Sequence, residues 1–307
     1  PIPGVTSPPS ADINENQREV NDYGVLFAQG LSGSMSWQVS LFDRYSSVHY
    51  YPDPIADLVY NGVSSQVLRR SLATGLQADM SYATTEAHTL RWGVFVQHEH
   101  TSSDNTAAVF SADANGNPMS TTPLTVIDNT AKNGAFYSAY IEDQWLPVTA
   151  LTLNYGLRYD LNDGYAREDQ LSPRLNAVYA FTPTTSVHAG YARYFTPPPL
   201  ELVAPTDIAL FQGTTNALSS GGNTSVKAER DDYYDVGVSH QMTAAWQVGV
   251  DGYYKDISNL LDEGQFGQAQ IFSPFNYAHG RIWGVELTTS YRRGNFSSYF
   301  NVAASRA

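Results

Sequence analysis

Hydrophobic and polar residues alternate along most of this chain with a period of two. In 151–160, Leu151, Leu153, Tyr155, Leu157 and Tyr159 alternate with Thr152, Asn154, Gly156, Arg158 and Asp160. Successive side chains of a strand point to opposite faces, so this spacing predicts a strand with one apolar and one polar face. The same alternation places Leu175, Ala177, Tyr179 and Phe181 opposite Arg174 and Asn176. It places Trp246, Val248, Val250 and Tyr254 opposite Gln247, Asp251 and Lys255, and Trp283, Val285, Leu287 and Tyr291 opposite Gly284, Glu286, Thr288 and Ser290. Trp37, Val39 and Leu41, then Leu72, Leu76, Met80 and Tyr82, then Leu90, Trp92, Val94 and Val96 mark three earlier apolar faces. About twelve such segments are predicted, at 21–30, 35–45, 67–82, 88–100, 134–145, 149–160, 171–181, 185–195, 231–241, 245–256, 279–291 and 295–305. Most reach the roughly 9–11 residues that a tilted strand needs to cross a bilayer. Soluble strands centre on about 5–6.

The connections between segments alternate in length. Short ones at Leu31–Ser34, Ala83–Ala87, Leu146–Val148, Thr182–Thr184, Met242–Ala244 and Arg292–Gly294 take turns with long ones at 46–66, 101–133, 161–170, 196–230 and 257–278. Outer-membrane barrels have short periplasmic turns and longer extracellular loops, whereas a soluble β-sandwich gives no reason for every second loop to be long. The pattern therefore predicts an all-β fold, an antiparallel up-and-down transmembrane β-barrel represented by about twelve strands of a larger barrel. With the short turns periplasmic, both chain ends fall on the extracellular side, which reads as a segment cut within two outer loops.

Composition agrees with a barrel and narrows the alternatives. Charged residues are 15% of the 307, aromatics 13% with 21 tyrosines, and mean hydropathy is -0.31. Soluble chains carry roughly 25% charge, and strands apolar on one face with aromatic girdles account for the departure. No apolar run approaches eighteen residues, which excludes a helical span, and Pro1-Ile2-Pro3-Gly4 is no signal peptide. The absence of cysteine excludes disulfides and thiolate chemistry. A net charge of -13 argues against nucleic acid as a partner. Neither a Ser/His/Asp grouping, a G-x-S-x-G elbow nor a phosphate-cradling glycine loop appears, so the chain reads as a non-enzyme without a cofactor.

Several blocks resemble the barrel of TonB-dependent receptors. Tyr140-Ile141-Glu142-Asp143-Gln144-Trp145 followed by Leu151–Asp160 looks like a mid-barrel hairpin of that family. Ser172-Pro173-Arg174-Leu175-Asn176, Gly190-Tyr191-Ala192-Arg193-Tyr194-Phe195-Thr196-Pro197-Pro198, Glu229-Arg230 with Tyr234-Asp235-Val236-Gly237-Val238, and Asp251–Leu260 follow in the family's order. Asn276-Tyr277-Ala278-His279-Gly280 and Gly284-Val285-Glu286-Leu287 complete the series. The resemblance covers about 134–300. It implies a barrel of about 22 strands, filled by a plug and driven by the inner-membrane TonB complex in the outer membrane of a Gram-negative bacterium. The implied ligand is scarce, most readily a ferric siderophore, with cobalamin or an oligosaccharide as other choices. A passive porin-like or adhesion barrel without energy coupling is the alternative. On this reading residues 1–307 are a partial receptor barrel. No plug sequence or TonB box is found, and the chain stops at Ser305-Arg306-Ala307 without a final aromatic. The expected partners are outer-membrane lipid, the missing plug, TonB through that plug, and the ligand.

Candidate site residues fall into three groups. Glu142, Arg158, Arg174, Asn176, Asp251, Lys255 and Glu286 lie on polar faces and are expected to line the lumen, in contact with plug or ligand. Charge on the lipid face costs about 2–4 kcal/mol for Arg or Lys at the midplane. His98-Glu99-His100 places two imidazoles on one strand face beside a carboxylate, so His98 and His100 are metal candidates, though a girdle or loop-base pair explains them more simply. Tyr50, Tyr51 and Phe211 are loop aromatics able to face a ligand, with an aromatic girdle as the plainer reading of the tyrosines. Arg193 interrupts the Val187, Ala189, Tyr191 face, which predicts either an interfacial position or a bulge.

Overall fold

The computed structural model describes residues 6–202, 207–217, 226–266 and 271–307. Twelve strands form one antiparallel sheet in which every strand pairs with its sequence neighbours, in the order β1 to β12. They are β1 Asn16–Ser32, β2 Met35–Tyr51, β3 Val63–Ala83, β4 His88–Val109, β5 Leu124–Val148, β6 Leu151–Asp163, β7 Arg167–Thr182, β8 Thr185–Thr196, β9 Glu229–Thr243, β10 Trp246–Phe266, β11 Ile271–Arg293 and β12 Phe296–Arg306. Among the described residues β1 and β12 do not pair with each other, and no helix is long and apolar enough to cross a membrane.

All twelve expected strands are present, but several run well past their apolar stretch. β4 continues to Val109 and β5 begins at Leu124, so much of 101–133 is ladder. β10 and β11 pair from Trp246↔Tyr291 up to Phe266↔Ile271, which takes up most of 257–278. The 161–170 connection shrinks to 164–166. The expectation that every second connection is long is corrected accordingly. Above an apolar belt both faces of a strand can be polar, so the alternation disappears while backbone pairing continues.

The belt is set by register. Leu151, Leu153, Tyr155, Leu157, Tyr159 and Leu161 all fall on the outward face of β6. Ten residue steps at about 3.3 Å span about 33 Å of strand, or about 25 Å of height at a tilt near 40°. That is the height of the apolar band of an outer-membrane barrel. Flanking strands continue the belt, with Trp37, Met80, Trp92, Ile141 and Leu157 in register, and Val39, Ala78, Val94, Ala139 and Tyr159 one row above.

Across β8–β11 the belt ends on an outward row of Tyr191, Tyr234, Tyr254 and Trp283. Tyr191 and Tyr234 have ring centroids 5.1 Å apart. The next row up is Arg193, Asp232, Asp256 and Arg281, with Arg193–Asp232 at 3.9 Å and Arg281–Asp256 at 3.5 Å. Amphipathic rings followed by paired charges mark a membrane–water boundary. Arg193 therefore takes the interfacial position. The bulge is not there, because β8 pairs β9 without a shift from Thr185 to Thr196. The register shifts lie instead at the short-turn ends, at Trp145/Val148, Ala180/Thr182 and Trp246/Gln247. Two tight turns there use glycine at positive φ, Gly33 at 58° and Gly294 at 59°, as two-residue hairpins favour.

At the opposite end the β2–β3 connection forms α1, Ala56–Asn61. Asp53 accepts hydrogen bonds from the amides of Ile55 (3.0 Å) and Ala56 (2.8 Å), and Gly62 closes the last turn at φ 73° with its N–H on Leu58 O. Asp57 is buried on this helix, where Asn61 Nδ2 donates to Oδ1 at 3.1 Å. Burial and then the nearby Glu15 carboxylate push its carboxyl up from 3.8 to about 6. Between those values the folded loop binds more protons than the unfolded one, so its stability falls as pH rises through the window. Amide exchange over 56–61, corrected for intrinsic rate, is expected to be faster at pH 7.5 than at pH 5, and Asp57→Asn should flatten the difference. Equal protection at both pH values in the unsubstituted protein would refute this assignment.

Candidate functional site at the mouth of the lumen

The lumenal face is built by the alternate residues of each strand, and all seven sequence-predicted wall residues lie on it. Glu142 faces Arg91 (3.8 Å), Arg158 is held by Asp160 (2.8 Å), and the Arg174 guanidinium lies 5.8 Å from the Tyr194 ring centre. Lys255 meets Asp231 at 2.5 Å and Glu229 at 3.7 Å. Asp251 lies 3.2 Å from His188 Nε2, which is also 3.5 Å from Asp235. Asn176 registers with Gly190, and Glu286 is directly opposite Asp251. Two glycines let this last cluster lie flat. A Cβ at Gly190 would come 2.3 Å from Asp235 Oδ1, and one at Gly237 would come 2.1 Å from Asp251 Oδ1.

The histidine candidates do not converge with their carboxylate. His98 and His100 face outward above the apolar belt, in register with Thr74 and Leu72, and His100 Nδ1 lies 2.8 Å from Asn133 Oδ1. Glu99 faces the lumen, where the Ser71 hydroxyl donates to it at 2.6 Å. Among the described residues no group of three His, Cys, Asp or Glu side chains is placed to hold a metal.

The aromatic candidates separate as well. Phe211, on a short 3-10 turn at Asp207–Phe211 after β8, is 1% exposed. It fills a small core of Val63, Val67, Ala107 and Val109, lumenal residues of β3 and β4 beyond the belt, with Tyr50 and Val126 packed alongside. Tyr51 faces outward against His49, ring centroids 3.8 Å apart. Phe211 is thus an anchor within the fold rather than a ring presented to the lumen.

The described residues of the same connection, 197–202 and 207–217, turn inward across the mouth. The Thr101 hydroxyl donates to Leu200 O (3.3 Å), and both Lys132 Nζ (3.3 Å) and the Tyr165 hydroxyl donate to Leu202 O. Leu200 packs over Gly134, where a Cβ would come 2.7 Å from its Cδ2. Further on, Thr215 N donates to Phe110 O (2.9 Å) and its hydroxyl to Gly62 O (2.5 Å). Beneath this strap is a cavity of about 310 Å3, lined by Arg44, Gln97, Glu99, Phe136, Asn162 and the 197–201 segment. Burial raises the Glu201 carboxyl there, the Glu99 charge adds to the effect, and Arg44 and Arg69 oppose it.

Next to this cavity the polar alternation is broken in a way that residue-by-residue reading passed over. Phe42, Phe95 and Phe136 occupy lumenal positions among Gln38, Ser40, Gln77, Gln97 and Ser138. Phe42 and Phe95 stack at 5.6 Å and 18°, and Phe136 meets Phe95 edge-on at 6.2 Å. Val25 registers beside Phe42 and extends the apolar floor. The signal in the sequence was parity, since each phenylalanine sits on the face its neighbours keep polar.

The sequence profile of the TonB dependent receptor-like β-barrel matches residues 3–307, and the chain belongs to that family, whose members are transporters of the outer membrane and not enzymes. Among solved structures it is similar to the ferric yersiniabactin uptake receptor FyuA from Yersinia pestis, with a TM-score of 0.69 and 14% identity over 94% of this chain and 43% of that one. It is also similar to the FrpB iron transporter from Neisseria meningitidis (0.66, 18%, 94% and 44%) and to the copper transporter OprC (0.64, 16%, 95% and 47%). The chain thus spans less than half the length of these structures, and the likeness is one of fold. A sequence search of curated proteins gives no significant match.

Proposed function

We propose that this chain forms the wall and mouth of an outer-membrane receptor that takes up a scarce small ligand, a ferric siderophore in the first instance, by energy coupling through TonB. Its short-turn end would face the periplasm, and a plug domain would sit against the charged lumenal wall. The observation carrying the proposal is the strapped mouth. The described parts of the connection after β8, 197–202 and 207–215, fold inward, the first of them over a ligand-sized cavity lined by both charged and apolar groups, as suits capture at the surface better than free diffusion. Iron transport by FyuA and FrpB supports the ligand class, while OprC keeps copper in view. The wall charges support a packed lumen, because Asp251 and Glu286 face each other across neighbouring strands and a cationic partner would relieve their repulsion.

The test is radiolabelled ferric-siderophore uptake by iron-starved cells of the host, with and without the gene and with and without a protonophore. Uptake that needs the gene and stops when the proton gradient collapses is expected. Gene-dependent uptake indifferent to the gradient, together with steady ion conductance in planar bilayers, would establish the passive barrel instead.

A further inference from the structure

We infer that the β11–β12 hairpin holds the phosphate of an anionic phospholipid from the periplasmic leaflet, with Arg293 as its anchor and Tyr291 and Phe296 as the ledge beside it. The site rests on the orientation proposed above, which puts the short turns in the periplasm. Outward positions on β11 run Trp283, Val285, Leu287, Thr289, Tyr291 and Arg293, so Arg293 ends the lipid-facing row. It pairs with Phe296 across the tight turn at Gly294, and Trp246 on β10 registers with Tyr291. The Tyr291 and Phe296 rings lie 6.0 Å apart. The Trp246 indole N–H donates to the Thr289 hydroxyl at 2.7 Å, whereas the Tyr291 hydroxyl has no partner among the described residues and is free to donate to a lipid oxygen. Aromatic rings that close an apolar belt, followed by a cation, match the glycerol and phosphate levels of a leaflet.

Charge decides what completes the site. At the opposite rim of the same strands the outward arginines have carboxylates, Arg193 with Asp232 and Arg281 with Asp256. Arg293 is exposed and makes no ion pair among the described residues. No carboxylate is close by, because 236–250 and 287–307 contain neither Asp nor Glu, in a chain whose net charge is -13. The other short turns carry no Lys or Arg. A guanidinium beside lipid, without a protein anion, favours a bidentate anion supplied by the membrane, and a phosphodiester has that geometry. A zwitterionic lipid offers the same phosphate but adds an ammonium that the guanidinium repels, so a headgroup of net negative charge is preferred. Arg292 takes the opposite face and lines a cavity of about 620 Å3 with Gln241, Gln247, Ser290, Ser297 and Tyr299, away from the lipid.

The probe is dioleoyl phosphatidylglycerol, titrated against the full-length receptor in detergent and counted by native mass spectrometry, with dioleoyl phosphatidylcholine as the zwitterionic reference. Preferential retention of the acidic lipid is expected, weakened about fivefold or more by Arg293→Gln and unchanged by Arg292→Gln or by Arg281→Gln at the opposite rim. Equal retention of both lipids, indifference to Arg293→Gln, or an equal loss in Arg292→Gln would overturn the inference. Because a rim variant can fail to assemble, phosphatidylglycerol with a headgroup diazirine is also photolysed with the unsubstituted receptor in phosphatidylcholine nanodiscs. Crosslinks are expected on peptides from Tyr291 to Phe296, and labelling confined to other peptides overturns the assignment. In cells, a membrane-impermeant thiol reagent should reach Asn295→Cys only after the outer membrane is permeabilised. Labelling of intact cells would overturn the placement in the periplasmic leaflet. Acidic-lipid retention by a receptor that takes up no ferric siderophore would sink the uptake reading alone. Uptake without a lipid preference would sink the hairpin site alone.

Discussion

Arginine placed at Leu157 or Val250 will largely prevent insertion into the membrane, whereas arginine at Asn154 or Gln247 will be tolerated. Leu157 and Val250 are outward-facing belt residues, 47% and 41% exposed on the sheet and therefore in contact with lipid. An Arg near the midplane of a barrel's lipid face costs about 2–4 kcal/mol, a large fraction of a typical folding stability of about 5–15 kcal/mol. Asn154 and Gln247 lie on the lumenal face, where a guanidinium keeps its water. Heat-modifiable gel mobility of the outer-membrane fraction reads the folded yield. Equal yields from all four variants would mean that the two faces have been exchanged.

The second large effect is expected at Phe211. Removing a fully buried phenyl ring costs about 3–5 kcal/mol, and here that energy holds the strap onto the wall rather than holding the barrel together. Phe211→Ala should leave barrel assembly intact. It should speed amide exchange at the strap's own hydrogen bonds, Thr215 N to Phe110 O and Ala112 N to Gly213 O, by two orders of magnitude or more. Cysteines introduced at Val67 or Ala107 should also become reactive toward a membrane-impermeant thiol reagent. A variant whose strap amides stay as protected as in the parent protein would show that the Leu200 contacts suffice alone.

How much of this was legible in the sequence follows from which residues had a local reason to be where they are. Leu151 through Leu161 must face lipid at every second position, so the transmembrane strands were readable one at a time. The same constraint placed Arg158, Arg174 and Lys255 on the lumenal side. Above the belt that constraint lapses. Ser102 through Ala108 and Thr125 through Ala131 are mostly polar or small on both faces, and only their pairing across the two strands shows that they are strand. Phe211 packs on Val63 and Val109 across more than a hundred residues of sequence, which no periodicity reports. Arg193 was flagged correctly as an interruption, but its explanation lay in Asp232 on the next strand. The phenylalanine platform was legible in principle, because Phe42, Phe95 and Phe136 each break the parity of their strand.

Strict neighbour pairing has a consequence for how such a chain can change over time. Losing one strand would send every later turn to the opposite side of the membrane and exchange the extracellular with the periplasmic ends of every strand in the remainder. Losing or gaining two consecutive strands leaves every other connection on its own side. The smallest heritable unit of this wall is therefore the hairpin. Barrels of different bore can descend from one another in steps of two, each step altering the circumference while the chemistry at the rim is carried over unchanged.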